Sequence, residues 1–311
     1  MSESANNEYD AVIVGGGPGG LTAGIYTARA RLSSLLIEKG LFGGQMVTSD
    51  RYENYPGFPE GISGSELGEY MRQQAIKFGL KTINAEATGL RLEGEKKIVE
   101  TTDGDFIART VIIAGGATRR KLGVPGEEEF AGRGVSYCAV CDADFFHDVA
   151  VAVVGGGNSA ITEALHLAKF ASKVTLIHRR DELRAARVMQ EKAFAEPKID
   201  FCWSSVIEKI EGEDLVSRLK LRNVKTEERY DLEVDGVFIS TGIKPNTDFI
   251  KGVIPLDDAG YVITNIDMET EVPGVFAAGD IRHGSVRQAI TAAGDGATAG
   301  FNAERHLSHY V

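Results

Sequence analysis

Two segments of the chain, about 140 residues apart, share one order of apolar runs, glycines and polar positions. In the first, the apolar run Tyr9–Val14 leads to a glycine-rich turn, a stretch LTAGIYTARARL with helical spacing, and the apolar run 33–37 that ends at Glu38. In the second, the run Val149–Val154 leads to a similar turn, the stretch ITEALHLAKF and the run 173–177. Short continuous apolar runs are typical of buried strands, so each segment predicts a strand, a helix and a second strand of a parallel sheet.

A different pattern follows each of these two units. Residues 81–110 and Val206–Leu232 alternate apolar with polar side chains and are interrupted by turn residues. Such alternation is typical of antiparallel strands with one face in water. The predicted fold class is therefore α/β, with two Rossmann-like, doubly wound nucleotide-binding domains that each carry an accessory antiparallel β layer. A long final helix is predicted from about Ser285.

Composition and charge narrow the classes of partner. The formal net charge of −11 disfavours a nucleic-acid partner, because binding phosphates requires a basic surface. The apolar runs are too short to cross a bilayer, and the polar, acidic start (residues 1–10) is not typical of a signal peptide. Three cysteines make no disulfide framework, and the Cys-x-x-Cys spacing of two of them fits a working thiol pair in a reducing compartment. We therefore expect a cytoplasmic protein without a membrane partner.

The first glycine turn has the spacing of a dinucleotide site, with Gly15, Gly17 and Gly20 between a strand and a helix. In such a turn the first glycine makes the tight bend, the second admits the pyrophosphate, and the third lets helix and strand pack closely. The helix N-terminus donates N–H groups to the phosphates. Glu38 suits a ribose hydroxyl and disfavours a 2′-phosphate. The alternative is a glycine-rich turn without a ligand.

The second turn predicts another nucleotide site, at Gly155, Gly157, Asn158, Ser159 and Ala160. Where the first unit has Glu38, this unit has a basic cluster: His178, Arg179, Arg180, Arg184 and Arg187. A guanidinium can donate two hydrogen bonds to a phosphate, whereas a carboxylate repels it, so this site is predicted to prefer NADPH to NADH. The alternative is a solvated basic helix start.

The remaining chemistry lies in Cys138 and Cys141, which are followed directly by Asp142. Two cysteines at this spacing can close a small disulfide ring that thiol exchange readily reopens, and the neighbouring carboxyl can move a proton. Half of a zinc site and a pair of inert buried cysteines are the alternatives. Zinc would need further ligands, of which only His147 is near, so no metal is predicted. Cys202 is predicted to be a core residue.

Together these features resemble the low-molecular-weight thioredoxin reductases across essentially the whole chain. Further matching motifs are Gly43-Gly44-Gln45, Glu53-Asn54-Tyr55-Pro56-Gly57, Ala114-Gly115-Gly116-Ala117, Thr241-Gly242, Ala278-Gly279-Asp280 and Arg287-Gln288-Ala289. The resemblance implies FAD in the first site and NADPH in the second. The residues that it implies for FAD are Glu38, Gly44, Gln45, Asn54, Asp280, Arg287, Gln288 and Ala289. The last three would begin a helix whose N-terminus faces the flavin pyrimidine, where reduction builds negative charge.

The order of segments and the resemblance together predict a discontinuous FAD domain, 1–116 and 246–311, with an NADPH domain, 117–245, inserted and carrying the thiols. The implied activity is a thioredoxin-disulfide reductase, in which electrons pass from NADPH through FAD and the disulfide to thioredoxin. The implied assembly is a homodimer. Because the thiols and the nicotinamide must each reach the flavin, we expect the inserted domain to rotate, with hinges at Gly115-Gly116 and Thr241-Gly242.

The resemblance also implies roles for individual side chains. Cys141 would face the flavin, Cys138 would attack the partner disulfide, and Asp142 would donate the proton. Phe145 and Phe146 match positions that receive thioredoxin, with ordinary core aromatics as the alternative.

Three other functions stay open at this point. A flavoprotein reductase of another thioredoxin-like protein or a peroxiredoxin would carry an extra N-terminal redox module and tends to lack the paired arginines. A ferredoxin-driven disulfide reductase would need neither the Gly155 turn nor Arg179 and Arg180. A redox sensor would hold flavin and thiols without turnover, and steady NADPH oxidation with thioredoxin would distinguish the enzyme from it.

Overall fold

The computed structural model describes residues 7–49 and 51–308. The chain forms two compact units, the first from residues 1–118 with 244–311 and the second from residues 119–243. The two points at which the chain passes from one unit to the other each lie two residues from the border predicted from the sequence, 116/117 and 245/246. The first six residues of the polar start, on which the expectation of no signal peptide partly rests, lie outside the described residues.

The helices and strands are named in chain order. The helices are α1 (Pro18–Arg29), α2 (Gly64–Lys77), α3 (Ala139–Asp142), α4 (Asn158–Leu167), α5 (Arg187–Ala195) and α6 (Ala289–Ser308). The first strands are β1 (Glu8–Val14), β2 (Ser34–Glu38), β3 (Lys81–Asn84), β4 (Ala87–Glu93), β5 (Lys96–Thr101), β6 (Gly104–Ile113), β7 (Ala117–Arg119) and β8 (Val135–Ser136). The others are β9 (Ala150–Val154), β10 (Lys173–Ile177), β11 (Ile199–Cys202), β12 (Ser205–Gly212), β13 (Val216–Asn223), β14 (Arg229–Glu233), β15 (Gly236–Ile239), β16 (Ile243–Pro245) and β17 (Val275–Ala277).

A seven-stranded sheet forms the centre of the first unit, in the order β3-β2-β1-β6-β5-β4, with β17 beside β6. The strands β1, β2, β3, β6 and β17 pair in parallel, whereas β4, β5 and β6 form an antiparallel meander. This corrects the prediction of a meander from residue 81, because residues 81–84 are β3 and run parallel to β2. The reason is the crossover helix α2, which returns the chain to the same edge before β3 begins.

Two hydrophobic clusters lie on the two faces of this sheet. One contains buried side chains of the sheet and of α1, α2 and α6. The other contains side chains of the sheet, including its antiparallel strands, and of the segment 249–262. The helices α1 and α6 approach closely because small residues face each other, and a Cβ on Gly296 would overlap the carbonyl oxygen of Gly19. The apolar runs of the sequence are therefore buried on both faces.

The second unit repeats the plan with a five-stranded parallel sheet, in the order β11-β10-β9-β15-β8. The helices α4 and α5 contribute to the cluster on one face, and the antiparallel sheet β12-β13-β14 contributes to the cluster on the other. The predicted α/β class with two nucleotide-type sheets and accessory antiparallel layers is confirmed. None of the described helices is long and apolar enough to cross a bilayer.

The last helix begins later than predicted. It starts at Ala289, not near Ser285, because Arg287 has a left-handed backbone (φ 62°) that a right-handed helix cannot include. The N–H group of Gln288 donates to Thr291 Oγ1 at 3.3 Å, which satisfies one amide at the start of the helix. The helix start predicted at Arg287-Gln288-Ala289 is thus present, with Ala289 as its first residue.

The first glycine turn, between β1 and α1, gives a test of close packing. A Cβ on Gly20 would overlap the carbonyl oxygen of Gly15, a backbone atom that cannot move without shifting the strand. We expect Gly20→Ala to lower the free energy of unfolding by about 1 to 3 kcal/mol or more, because overpacking forces the backbone apart.

The measurement is thermal unfolding followed by circular dichroism. Gly294→Ala is the matched control, because Gly294 lies within α6 and has no atom within 4 Å of its added Cβ. Alanine favours a helix interior, so the control should keep or raise the melting temperature. Equal losses in both variants would show that close contact at Gly20 is not what fixes the turn.

Candidate active site

The first glycine turn presents a helix end that no side chain covers. Gly15 has φ 108°, and a Cβ there would overlap the carbonyl oxygen of Ala114. At Gly17, by contrast, the nearest atom to an added Cβ is 4.0 Å away, and Gly17 caps α1 without a side-chain hydrogen bond. The N-terminus of α1 is therefore left uncapped by side chains, as a site for the pyrophosphate of a dinucleotide requires.

Glu38, at the end of β2, closes this turn. Its Oε2 accepts a hydrogen bond from the N–H of Gly16 at 2.6 Å, and its Oε1 accepts one from the N–H of Gly40 at 2.7 Å. The two bonds fix the carboxylate beside the turn. Each oxygen keeps acceptor capacity for a ribose hydroxyl, so the geometry fits the adenosine end of FAD.

Other predicted FAD residues come together from distant parts of the chain. Asn54 Nδ2 donates to Gln288 Oε1 at 3.2 Å, across 234 residues of sequence. Gly44 touches the first turn, since a Cβ on it would lie 2.9 Å from the Cα of Gly17. Gln45 follows in an exposed position of the short 3-10 helix Gly44–Thr48.

The loop before α6 is tied by side-chain hydrogen bonds. Ser285 Oγ donates to Asp280 Oδ1 at 3.0 Å and accepts from the N–H of Arg287 at 3.2 Å. The guanidinium of Arg287 donates to the hydroxyl of Tyr261 at 3.1 Å. Tyr261 was missed by the sequence analysis, because 26 residues separate it from Arg287 and no motif joins the two.

The second glycine turn, between β9 and α4, has the same design. A Cβ on Gly155 would overlap the carbonyl oxygen of Ser240 and lie 2.7 Å from the Cβ of Ala160. A Cβ on Gly157 would meet nothing within 4 Å, and Gly157 caps α4 without a side-chain hydrogen bond. The start of α4 thus also lacks a side-chain cap, which suits it to a second pyrophosphate.

Side chains around this turn separate into a structural and an exposed group. Asn158 Oδ1 accepts from the N–H of Ala186 at 2.8 Å, which links the turn to the segment before α5. Arg179, Arg180 and Arg184 are exposed, as is Ser159. Within the described part of the chain, these three guanidinium groups have no hydrogen bond or ion pair. Exposed and unpaired arginines at the end of β10 are suited to a phosphate.

His178, unlike these arginine side chains, is buried. It is 5% exposed, and its ring packs against Gly156, where an added Cβ would overlap ring atoms. Its Nε2 is buried, and no described residue forms a hydrogen bond with it. Burial first, and then the charges of Arg184, Arg180 and Arg179, lower the pKa of this imidazole, so the neutral ring is favoured. A phosphate contact by His178 stays a prediction.

Cys138 and Cys141 form a disulfide, with their Cα atoms 5.3 Å apart. Cys138 directly precedes the short helix α3, and the N–H of Cys141 donates to its carbonyl oxygen at 3.1 Å. Both cysteines are half-buried. Cys202 carries a free thiol, and its Sγ lies 2.9 Å from the hydroxyl of Tyr230.

A serine that the sequence analysis missed connects the disulfide to Asp142. Ser136 Oγ donates to Asp142 Oδ2 at 2.6 Å and accepts from the N–H of Cys138 at 3.1 Å. Ser136 is only 6% exposed, so this bridge is shielded from water. The one signal in the sequence is a serine two residues before the first cysteine. The bridge holds the carboxyl of Asp142 near the disulfide, as a proton donor requires.

The two phenylalanines after the disulfide differ in environment. Phe145 is 58% exposed, as is Val140 between the cysteines, and the two provide apolar surface beside the sulfurs. Phe146 instead packs edge-on against Phe238, with ring centroids 5.1 Å apart, and against Gly236. Phe145 is thus available to a partner, whereas Phe146 belongs to the core of the second unit.

Known proteins match this chain over nearly its full length. The sequence profile of the pyridine nucleotide-disulphide oxidoreductases matches residues 9–296. The thioredoxin reductase of Peptoclostridium acidaminophilum is 48% identical over 307 residues, which cover 97% of this chain and 98% of that protein.

Solved structures of relatives extend the comparison to three dimensions. The thioredoxin reductase of Streptococcus pyogenes is 47% identical and has a TM-score of 0.94, covering 98% of this chain and 100% of its own. The Lactococcus lactis thioredoxin reductase in its FR conformation is 44% identical and has a TM-score of 0.66, covering 97% and 99%. With its two glycine turns and its disulfide, the chain belongs to the pyridine nucleotide-disulphide oxidoreductase family, as an NADPH-dependent flavoprotein of the thioredoxin reductase type.

Proposed function

We propose that this chain reduces the disulfide of thioredoxin with electrons from NADPH, which pass through FAD and the Cys138–Cys141 disulfide. The observation that carries the proposal is the presence, in one chain, of a half-buried disulfide and two glycine turns, one next to an acidic side chain and the other next to basic side chains. Glu38 accepts a hydrogen bond from the first turn, and three exposed arginines flank the second. The relatives named above are thioredoxin reductases, which favours this function over a redox sensor or a reductase of another protein.

The first unit would hold FAD along the carboxyl edge of its sheet. The N-terminus of α1 would bind the pyrophosphate, and Glu38 would orient the adenosine ribose. Ala289, the first residue of α6, would direct its N–H group and the positive end of the helix at the pyrimidine, with Gln288 beside it. The chemistry that FAD would supply when bound is the acceptance of a hydride from NADPH and the transfer of two electrons to the disulfide.

The second unit would bind NADPH through the N-terminus of α4 and through Arg179, Arg180 and Arg184. The helix end would receive the pyrophosphate, and the guanidinium groups would receive the 2′-phosphate. The neighbouring carboxylate of Asp181 is paired with Lys225, which reduces its competition for the phosphate. The charges therefore select the phosphorylated nucleotide.

Thiol exchange would follow at the same unit. The thiolate of Cys138 attacks one sulfur of the thioredoxin disulfide, which forms a mixed disulfide and releases the other sulfur as a thiolate. Cys141 then attacks Cys138, so the Cys138–Cys141 disulfide re-forms and thioredoxin leaves with both sulfurs reduced. Asp142, held by Ser136, would supply a proton to a departing thiolate. Phe145 and Val140 would contact the partner, since both are exposed beside the sulfurs.

Turnover would require the second unit to change its orientation during the cycle. Gly116 (φ 65°) and Gly242 (φ 118°) lie next to the two chain crossings, and a Cβ on Gly116 would meet nothing within 4 Å. Such glycines can absorb large backbone changes. The solved relatives from Streptococcus pyogenes and Lactococcus lactis have nearly equal identity to the chain, 47% and 44%, but TM-scores of 0.94 and 0.66. The two relatives therefore superpose on the chain to different extents at similar identity, which supports a change of conformation within this family.

The proposed assembly is a homodimer in the cytoplasm. Three aromatic side chains are exposed on the helices of the first unit, Tyr26 on α1, Tyr70 on α2 and Phe301 on α6, each between 44% and 55%. Tyr26 and Phe301 are near each other, because Gly300 packs against Tyr26. Exposed aromatics on neighbouring helices favour a protein contact. A working thiol pair favours a reducing compartment.

We predict that Arg179→Ala with Arg180→Ala weakens NADPH binding far more than NADH binding. Charge-assisted hydrogen bonds of this kind contribute roughly 1.5 to 3 kcal/mol each, or about tenfold to over a hundredfold per arginine, although neighbours need not add. The measurement is the dissociation constant of each nucleotide. Arg229→Ala removes an exposed arginine of the same unit, paired with Glu208, and should leave the ratio unchanged. Equal losses for both nucleotides in the double variant would show that Arg179 and Arg180 do not bind the 2′-phosphate.

We predict that Cys138→Ser and Cys141→Ser each abolish thioredoxin reduction, while NADPH still bleaches the flavin absorption in the absence of oxygen. Flavin reduction precedes the thiols in the proposed order, so it does not depend on them. Cys202→Ser is the matched control and should keep activity, because the serine hydroxyl can replace the thiol beside Tyr230. Turnover with thioredoxin in either active-site variant would rule out the disulfide relay.

A further inference from the structure

The backbone of Arg287 is unusual for its residue type. With φ 62° it adopts the left-handed conformation, directly before Gln288 and the first residue of α6. In an L-residue this conformation brings Cβ close to the following carbonyl oxygen, so it persists only where the surroundings hold it. Glycine would adopt it without strain. An arginine at this position therefore needs contacts that hold its backbone.

The guanidinium of Arg287 is held by Tyr261. Its Nη2 donates to the hydroxyl of Tyr261 at 3.1 Å, and its central carbon lies 5.5 Å from the centre of the tyrosine ring. The two contacts combine a hydrogen bond with a cation–π interaction on one aromatic side chain. The side chain thus anchors a strained backbone to a fixed point in the same unit.

Tyr261 is itself held in a tight turn. Its N–H donates to Asp257 Oδ1 at 2.8 Å, and the N–H of Asp257 donates to the carbonyl oxygen of Tyr261 at 2.9 Å. Asp257 Oδ2 lies 2.6 Å from Nδ1 of His283, in the loop that leads to Arg287. Burial raises the pKa of Asp257, but the hydrogen bonds from His283, Tyr261 and Ala259 lower it overall, so the carboxylate is charged at neutral pH.

The backbone joins the same two segments. Val262, next to Tyr261, pairs with Arg282, and the N–H of His283 donates to the carbonyl oxygen of Val262 at 2.8 Å. The turn 257–261 and the loop 282–287 are therefore connected by backbone pairing, by the Asp257–His283 contact and by the Tyr261–Arg287 contact. This rigid frame allows Tyr261 to hold Arg287 in place.

We propose that Tyr261 is a positioning residue of the flavin site. By holding the guanidinium of Arg287, it stabilises the left-handed backbone at Arg287 and so sets the direction of the N–H groups at the start of α6, beginning with that of Ala289. The inference rests on the proposed function, in which these amides bind the pyrimidine of FAD. The charged guanidinium of Arg287 then contacts Tyr261, and the backbone N–H groups that follow contact the flavin.

The test compares two replacements that both remove the guanidinium. Arg287→Ala loses the contact with Tyr261 and keeps a Cβ, whereas Arg287→Gly loses the contact and tolerates the left-handed backbone. Arg287→Gly should bind FAD more tightly than Arg287→Ala, by roughly fivefold to thirtyfold, the ratio that corresponds to a left-handed cost of about 1 to 2 kcal/mol. The measurements are the dissociation constant of FAD and the visible spectrum of the bound flavin, neither of which requires turnover.

Tyrosine variants complete the test on the full-length holoprotein. Tyr261→Ala should weaken FAD binding and shift the flavin spectrum, whereas Tyr261→Phe, which keeps the ring under the guanidinium, should have a smaller effect. In the Arg287→Gly background Tyr261→Ala should have no further effect, since no strain is left to hold.

Three results would overturn the inference. Arg287→Gly could bind FAD as weakly as Arg287→Ala, or Tyr261→Ala could leave both FAD affinity and spectrum unchanged, or Tyr261→Ala could weaken FAD equally in both backgrounds. Each of these would leave the proposed function intact. An unaltered protein that binds no FAD would overturn the proposed function and this inference together.

Discussion

Close backbone contact at the two glycine turns is the constraint on which both units depend. At the first turn the carbonyl oxygen of Gly15 fills the place of a side chain on Gly20, and at the second a Cβ on Gly155 would lie 2.7 Å from the Cβ of Ala160 in α4. These contacts bring each helix directly onto its strand and leave its N-terminus without a side-chain cap. The same close packing at the glycine turns therefore sets the position of each helix against its strand and leaves the two helix N-termini suited to phosphate.

The difference between the two sites arises one strand later. Glu38 ends β2 with a carboxylate held by two backbone amides, whereas β10 is followed by arginines that have no partner among the residues described. The disulfide belongs to the unit with the arginines, so in the proposed cycle electrons from a nucleotide in that unit would pass through the flavin of the other unit before they return. That order would require a change of orientation, which Gly116 and Gly242, with positive φ near the chain crossings, could absorb.

Features with local causes could be predicted from the sequence, and features with distant causes could not. The strands, the glycine turns and the thiol pair follow from neighbours in the chain, and the structure contains all of them. The sequence of residues 81–84 alternates like its antiparallel neighbours, and only the preceding helix makes it a parallel strand. The start of α6 was misplaced because Arg287 has a left-handed backbone, and its side-chain partner Tyr261 is distant in sequence. The burial of His178 depends on its packing under Gly156, which the basic pattern around it conceals.

The central claim is that NADPH delivers electrons through the flavin to one particular pair of cysteines. The most direct measurement is a count of thiols, made in denaturant, before and after anaerobic addition of NADPH to the holoprotein. The account predicts a rise from one thiol per chain, that of Cys202, to three, as the Cys138–Cys141 disulfide opens. A flavin that bleaches while the count stays at one would contradict the account.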